Sequence, residues 1–164
     1  MSLTGVWTNE LRSVMLLREG ADYGLTGVFH SLVGRDSGSR TLAGRTSCEE
    51  YGKQMVGFAV SFEIASPTEG YGHSSVCSWS GWAEKDELGA ELIKTNWLLS
   101  ISMLDKTRDW AATNVGQDVF LKLSSEPDER LLNDLEALKA LRARIMRNPH
   151  SLAIFVHEVR MPDR

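Results

Sequence analysis

Trp79, Trp97 and Trp110 share this chain with polar residues that are unusual for a plain core: Asn9, Ser13, Ser31, Ser75 and Asp118. Aromatic side chains supply apolar walls, and a few inward amide, hydroxyl and carboxylate groups supply a fixed hydrogen-bond pattern. In a barrel, that combination describes a pocket for one small ligand. The same residues also fit a simpler arrangement, in which the tryptophans are core and the polar groups face water. Composition by itself leaves both open.

Covalent and metal chemistry is not expected. The chain has no G-x-S-x-G, P-loop, G-x-G-x-x-G or H-E-x-x-H spacing. His30, His73, His150 and His157 are scattered without ligand spacing and read as ordinary surface or half-buried residues. Cys48 and Cys77 make neither a zinc set nor a disulfide framework. A protein of 164 residues with 18 basic and 22 acidic side chains has the wrong sign for sequence-independent nucleic-acid binding. Its longest apolar runs, Trp97–Leu99 and Met55–Val60, are far too short for a membrane helix. Neither nucleic acid nor membrane is an expected partner.

The elements that must position these side chains change character at about Ser124. All 14 glycines and all 5 tryptophans precede it, whereas three of the 4 prolines follow it. Residues 1–123 read as β: runs rich in β-branched and aromatic residues, separated by Gly, Asp, Ser and Asn clusters. The predicted strands are Leu3–Thr8, Ser13–Arg18, Gly24–Leu32, Arg40–Thr46, Met55–Glu63, Ser74–Glu84, Glu91–Ser100 and Val119–Leu123. Eight strands at hairpin spacing, uninterrupted by helical periodicity, favour an up-and-down antiparallel barrel or a sandwich. Residues 124–164 form a separate extension. Leu131, Leu135, Leu138, Leu141 and Ile145 recur at helical spacing, predicting a helix over about 126–147 that starts behind Ser125 and ends at Asn148-Pro149. A short strand over 151–159 is expected after it. Met1 stands directly before the first strand and no signal peptide is visible, which is compatible with a cytoplasmic protein.

Particular segments narrow this reading. Leu3-Thr-Gly-Val-Trp-Thr-Asn-Glu-Leu-Arg-Ser13 resembles the opening strand pair of the avidin/streptavidin family. Leu25-Thr-Gly27, Leu42-Ala-Gly-Arg45, Val56-Gly-Phe-Ala-Val60, Trp79-Ser-Gly81 and Thr95-Asn-Trp-Leu-Leu99 resemble its later strands, in order. Asp109-Trp-Ala-Ala-Thr-Asn-Val-Gly-Gln-Asp-Val-Phe120 is similar to the closing signature of the family, with Ala112 at a usually basic position and Leu121 at a usual Thr. The resemblance covers residues 2–123 and excludes the extension.

It implies an eight-stranded barrel that binds and sequesters biotin without catalysis. Asn9 and Ser13 match two donors to the ureido oxygen, and Phe29 stands where the third, a Tyr hydroxyl, is usual. Ser31 and Asp118 match acceptors for the ureido N–H groups, and a carboxylate accepts strongly. Cys77 takes the place of a Thr near the thioether sulfur. Ser75 and the loop at Gly34 and Arg35 match the groups that meet the valerate carboxylate. The apolar box comprises Trp79, Trp97 and Phe62, with Leu11, Val33 and Leu99 completing the wall; Phe62 replaces a common Trp. Trp110 matches the wall that a neighbouring subunit donates in tetrameric members, so a homotetramer is expected. Secretion is the compartment implied by the resemblance. Two other readings differ in class: an avidin-like interaction module with weakened or lost biotin binding, and a lipocalin-like carrier of another apolar ligand.

Overall fold

A strand with alternating apolar and polar side chains buries only one face, and eight such strands shield that face fully by closing on themselves. The computed structural model describes residues 1–31, 39–63 and 71–125. Its strands are β1 (Gly5–Asn9), β2 (Val14–Glu19), β3 (Gly24–His30), β4 (Ser39–Glu50), β5 (Lys53–Glu63), β6 (Tyr71–Lys85), β7 (Glu91–Met103) and β8 (Thr113–Ser124). Each pairs antiparallel with the next, and β8 returns to β1 through Trp7↔Lys122 and Asn9↔Phe120, so the sheet is a closed up-and-down barrel.

All eight predicted strands are present, and five of them, β4 to β8, are longer than their patterns suggest. β4 runs on to Glu50, β7 to Met103, and β8 begins at Thr113 rather than Val119. Ser47–Glu50 and Thr113–Gln117 are polar and look like turns, yet the ladder continues through Glu50↔Lys53 and Ser100↔Thr113. In a closed barrel every strand has a partner on both sides, so solvent-facing polar ends stay paired. The only helix among the described residues is a six-residue 3-10 turn, Lys106–Ala111, capped by the Asp105 carboxylate on Thr107 N–H. The predicted helix over 126–147 and strand over 151–159 lie outside the described residues.

Inward positions follow the period of two. Trp7 on β1, Met15 and Leu17 on β2, Leu25 and Phe29 on β3, and Leu42 on β4 meet at the axis with Val56, Phe58 and Val60 on β5. Cys77, Trp79 and Ala83 on β6, Ile93 on β7 and Phe120 on β8 complete this core. Up-and-down order places the β1–β2, β3–β4, β5–β6 and β7–β8 connections at one end, here called upper. The N-terminal segment closes the lower end: Leu3 is fully buried, its carbonyl accepts from Trp7 Nε1 at 3.0 Å, and its amide donates to Glu19 at 3.1 Å.

Barrel closure leaves one inward position on β4 no room for a side chain. A Cβ on Gly44 stands 2.1 Å from the Gly57 carbonyl oxygen and 2.6 Å from Phe58 Cβ. Gly44→Ala should therefore lower folding stability by about 1–3 kcal/mol, the usual cost of overpacking. Urea unfolding checks this, and an unchanged midpoint contradicts the packing described.

Candidate ligand-binding site

Strand parity carries the polar and aromatic candidates inward at the upper half of the barrel. Asn9 follows Trp7 by two positions, Ser13 precedes Met15 by two, and Ser31 follows Phe29 by two; Phe62, Ser75, Leu99 and Asp118 sit likewise on the inward rows of β5 to β8. Across the ladder Phe62 faces Ser75, Cys77 faces Leu99, Trp79 faces Trp97, and Thr95 faces Asp118. Residues far apart in sequence thus form one ring.

The tight β1–β2 turn brings Asn9 and Ser13 together. Asn9 O accepts from Arg12 N at 2.9 Å, with Arg12 in the left-handed region at φ 65. Ser13 N–H donates to Asn9 Oδ1 at 2.8 Å. Because the amide oxygen is engaged, Asn9 Nδ2 is the group left to donate, and it is held without a rotameric search.

Asp118 is the electrostatic centre. It is 5% exposed, and Trp79 Nε1 donates to its Oδ2 at 2.7 Å. Its Oδ1 is buried with no hydrogen-bond partner among the described residues. A buried acceptor left without a donor costs about 1–3 kcal/mol, a cost that a ligand N–H relieves. Thr95 Oγ1 donates to the Asp118 carbonyl at 3.1 Å and fixes the backbone beneath it. Burial, with help from the Asp118 charge, pushes the Cys77 thiol up to about 12, so it stays protonated and is an S–H donor rather than a nucleophile.

The walls are aromatic. Phe58 stacks on Trp79 at 5.2 Å, Phe29 lies tilted against the same indole at 5.2 Å, and Phe62 meets Phe29 edge-on at 6.2 Å. Trp97 and Leu99 are half-buried and pack against this cluster. The Trp97 indole crosses β8 where a Cβ on Gly116 would lie 2.3 Å from its Cζ2, so glycine there is a steric requirement.

Two candidates are not drawn into the ring within one chain. Leu11 lies on the β1–β2 turn and is 51% exposed, and Trp110 on the 3-10 turn is 84% exposed. Val33, Gly34 and Arg35 lie outside the described residues. Sequence reasoning missed Glu10, Phe58 and the polar role of Trp79. Glu10 Oε2 accepts from Val119 N at 3.1 Å, beside Asp118 on β8, and Asp118 raises the proton affinity of Glu10. Nothing local in the sequence signals this contact, since 108 residues separate the two carboxyls.

This architecture is that of a small-ligand-binding barrel: a closed, one-sided sheet that gathers buried donors, a buried carboxylate and aromatic walls in one half. The chain belongs to the avidin family, whose description "Avidin family" matches residues 1–123. Avidin-related protein 4/5 of Gallus gallus is 33% identical over 125 residues, covering 74% of this chain and 78% of the relative. Avidin of Gallus gallus is 30% identical over 132 residues, covering 77% and 82%. The crystal structure of Xenavidin superposes with a TM-score of 0.62 at 27% identity and covers 74% of this chain and 98% of that one. Proteins of this family are non-catalytic, and the chain has residues beyond the matched domain.

Burial pushes Glu10 up to about 7, with Asp118 adding to the shift, while the Glu10 and Val119 amides oppose it. The folded state therefore holds a proton that the unfolded chain loses near 4.5. Stability falls as pH rises above 4.5 and the loss is complete above about 7. Glu10→Gln should show no such loss, so its advantage over the parent chain should open across that window in thermal melts without ligand. A constant difference between the two melts would contradict a raised Glu10.

Proposed function

We propose that this chain binds biotin tightly and sequesters it without chemical change. The observation that carries the reading is Asp118, buried, anchored by Trp79 and left with an open acceptor, in the same ring as the fixed Asn9–Ser13 donor pair. A cyclic urea presents the complement, one polarised oxygen flanked by N–H groups. Asn9 and Ser13 receive the oxygen, Asp118 and Ser31 the two N–H groups, and Cys77 lies toward the thioether. Trp79, Trp97 and Phe62 enclose the rings, with Leu11, Val33 and Leu99 completing the wall. Ser75, Gly34 and Arg35 meet the carboxylate of the ligand.

The proposal includes a homotetramer. Trp110 protrudes into solvent from a turn with no buried residue, as a wall given to a neighbouring pocket does. Leu98 and Val115, paired across β7 and β8, and Val76 on β6 are exposed on the outer face and provide apolar surface for sheet-to-sheet packing. Secretion belongs to the same proposal, by family resemblance. One observation favours a second reading, an interaction module with weakened binding: Phe29 puts a hydrocarbon edge where a donor to the ureido oxygen is expected, and its ring is already packed on Trp79 and Phe62.

Saturating biotin should raise the melting temperature strongly, because a ligand that binds only the native state stabilises it by mass action. Calorimetric titration and a thermal shift check this together, and no heat and no shift would favour the weakened module. Phe29→Tyr should restore a donor worth roughly 1–3 kcal/mol, slowing biotin release by about tenfold to a hundredfold. A competition chase reads that rate, and unchanged release would remove Phe29 from contact with the ureido oxygen.

A further inference from the structure

Glu10 is a carboxylic acid set against the carboxylate on which the proposed site depends. Its chain position is the β1–β2 turn, directly after Asn9, and its Oε2 accepts from the Val119 amide on β8 at 3.1 Å. Val119 is the neighbour of Asp118, which puts the Glu10 carboxyl beside that of Asp118 on β8, and Asp118 raises the proton affinity of Glu10. As two anions they have only acceptors to offer one another, and Asp118 Oδ1 is then a buried oxygen without a donor. One proton between them converts repulsion into an O–H···O⁻ bond. We propose that Glu10 positions Asp118 through one shared proton, so that this barrel binds a neutral N–H donor ligand such as biotin in the singly protonated form of the pair and loses affinity when that proton leaves. This rests on the reading of Asp118 as the acceptor for biotin.

The direction follows from solvent exclusion. A carboxylate has about four lone-pair sites, so Asp118 accepts from Trp79 Nε1, from protonated Glu10 and from a ligand N–H at once. Loss of the proton puts a second negative charge beside the first, and a ligand covering the pocket removes the water that would screen it. The bound complex therefore holds the proton more firmly than the free protein does. Binding and protonation favour each other, a reciprocity that linkage requires.

The groups that face the pair do not cancel this effect. From β8 come Asp118 itself and the Val119 amide, and the turn adds the amide of Glu10. From β6 come the Trp79 indole N–H, already on Asp118, and the Cys77 thiol, which titrates only near 12. Arg12 lies two positions from Glu10 on the same turn, and no cation is among the groups that shift Glu10. His30 on β3, in contact with Ser39 Oγ at 3.2 Å, is shifted down from 6.5 by burial. The carboxyl group of biotin is ionised throughout the range that matters.

The test measures the dissociation constant of biotin for the full chain at pH 6, 7 and 8, from association and dissociation rates, alongside Glu10→Gln. The Gln amide keeps an N–H donor toward Asp118 at every pH. With Glu10 titrating at about 7 in the free protein, the parent dissociation constant should rise about tenfold between pH 6 and pH 8, as uptake of one proton requires. That of Glu10→Gln should stay level and match the parent at pH 6. A level or falling parent curve overturns the proposal, and so does an equal slope in Glu10→Gln, which would place the proton elsewhere. Tight binding without pH dependence removes this proposal alone. Absence of binding at every pH in both chains removes the biotin reading and this proposal with it.

Discussion

A carboxylate inside an apolar barrel must find donors, and Asp118 is where this requirement organises the site. Trp79 supplies one N–H while its ring supplies wall, so one side chain fulfils a polar and an apolar need together. Phe58 stacks beneath the indole and Phe29 leans on it, which limits the positions the N–H can take. The Asp118 backbone is tied by Thr95, its partner across the β7–β8 ladder. Preorganisation of this kind removes ordering cost at the moment of binding, so affinity comes from few contacts.

The barrel is the device that makes such an arrangement affordable. Closure pairs every strand on both sides, satisfying the backbone without covering the sheet from within. The lower half is filled by Leu3, Trp7, Leu17 and Leu25, all fully buried, and the N-terminal segment hydrogen-bonds across that end. Packing there holds the strands in register, and the upper half can then carry Asn9, Ser13 and Asp118 on the same inward rows. Glycines at Gly44 and Gly116 relieve the close approaches that this closure creates.

The exposed features have the opposite character. Trp110 and the outer residues Val76, Leu98 and Val115 are apolar and face solvent in one chain, whereas the inner rows are complete. A single barrel therefore gathers its buried polar groups inside, Asp118 Oδ1 among them without a partner, and leaves apolar surface outside.

The strand count, the hairpin order and most of the ring were legible in the sequence, because a period of two and turn residues are local signals. Trp79, Trp97, Phe62, Ser75, Cys77 and Asp118 could be placed on one inward surface from parity and segment resemblance. The ends of β4, β7 and β8 were not legible, since polar residues that pair across a closed ladder look the same as residues of a turn. Neither was the role of Glu10. It follows Asn9 on a turn and reads as a solvent-facing charge, and only barrel closure between β1 and β8 brings it against Asp118. Register across β6, β7 and β8 decided that the indole N–H of Trp79 bonds Asp118. Sequence periodicity determines which face a side chain takes, whereas contact between residues a hundred positions apart, and the protonation that contact imposes, depends on register around the closed sheet.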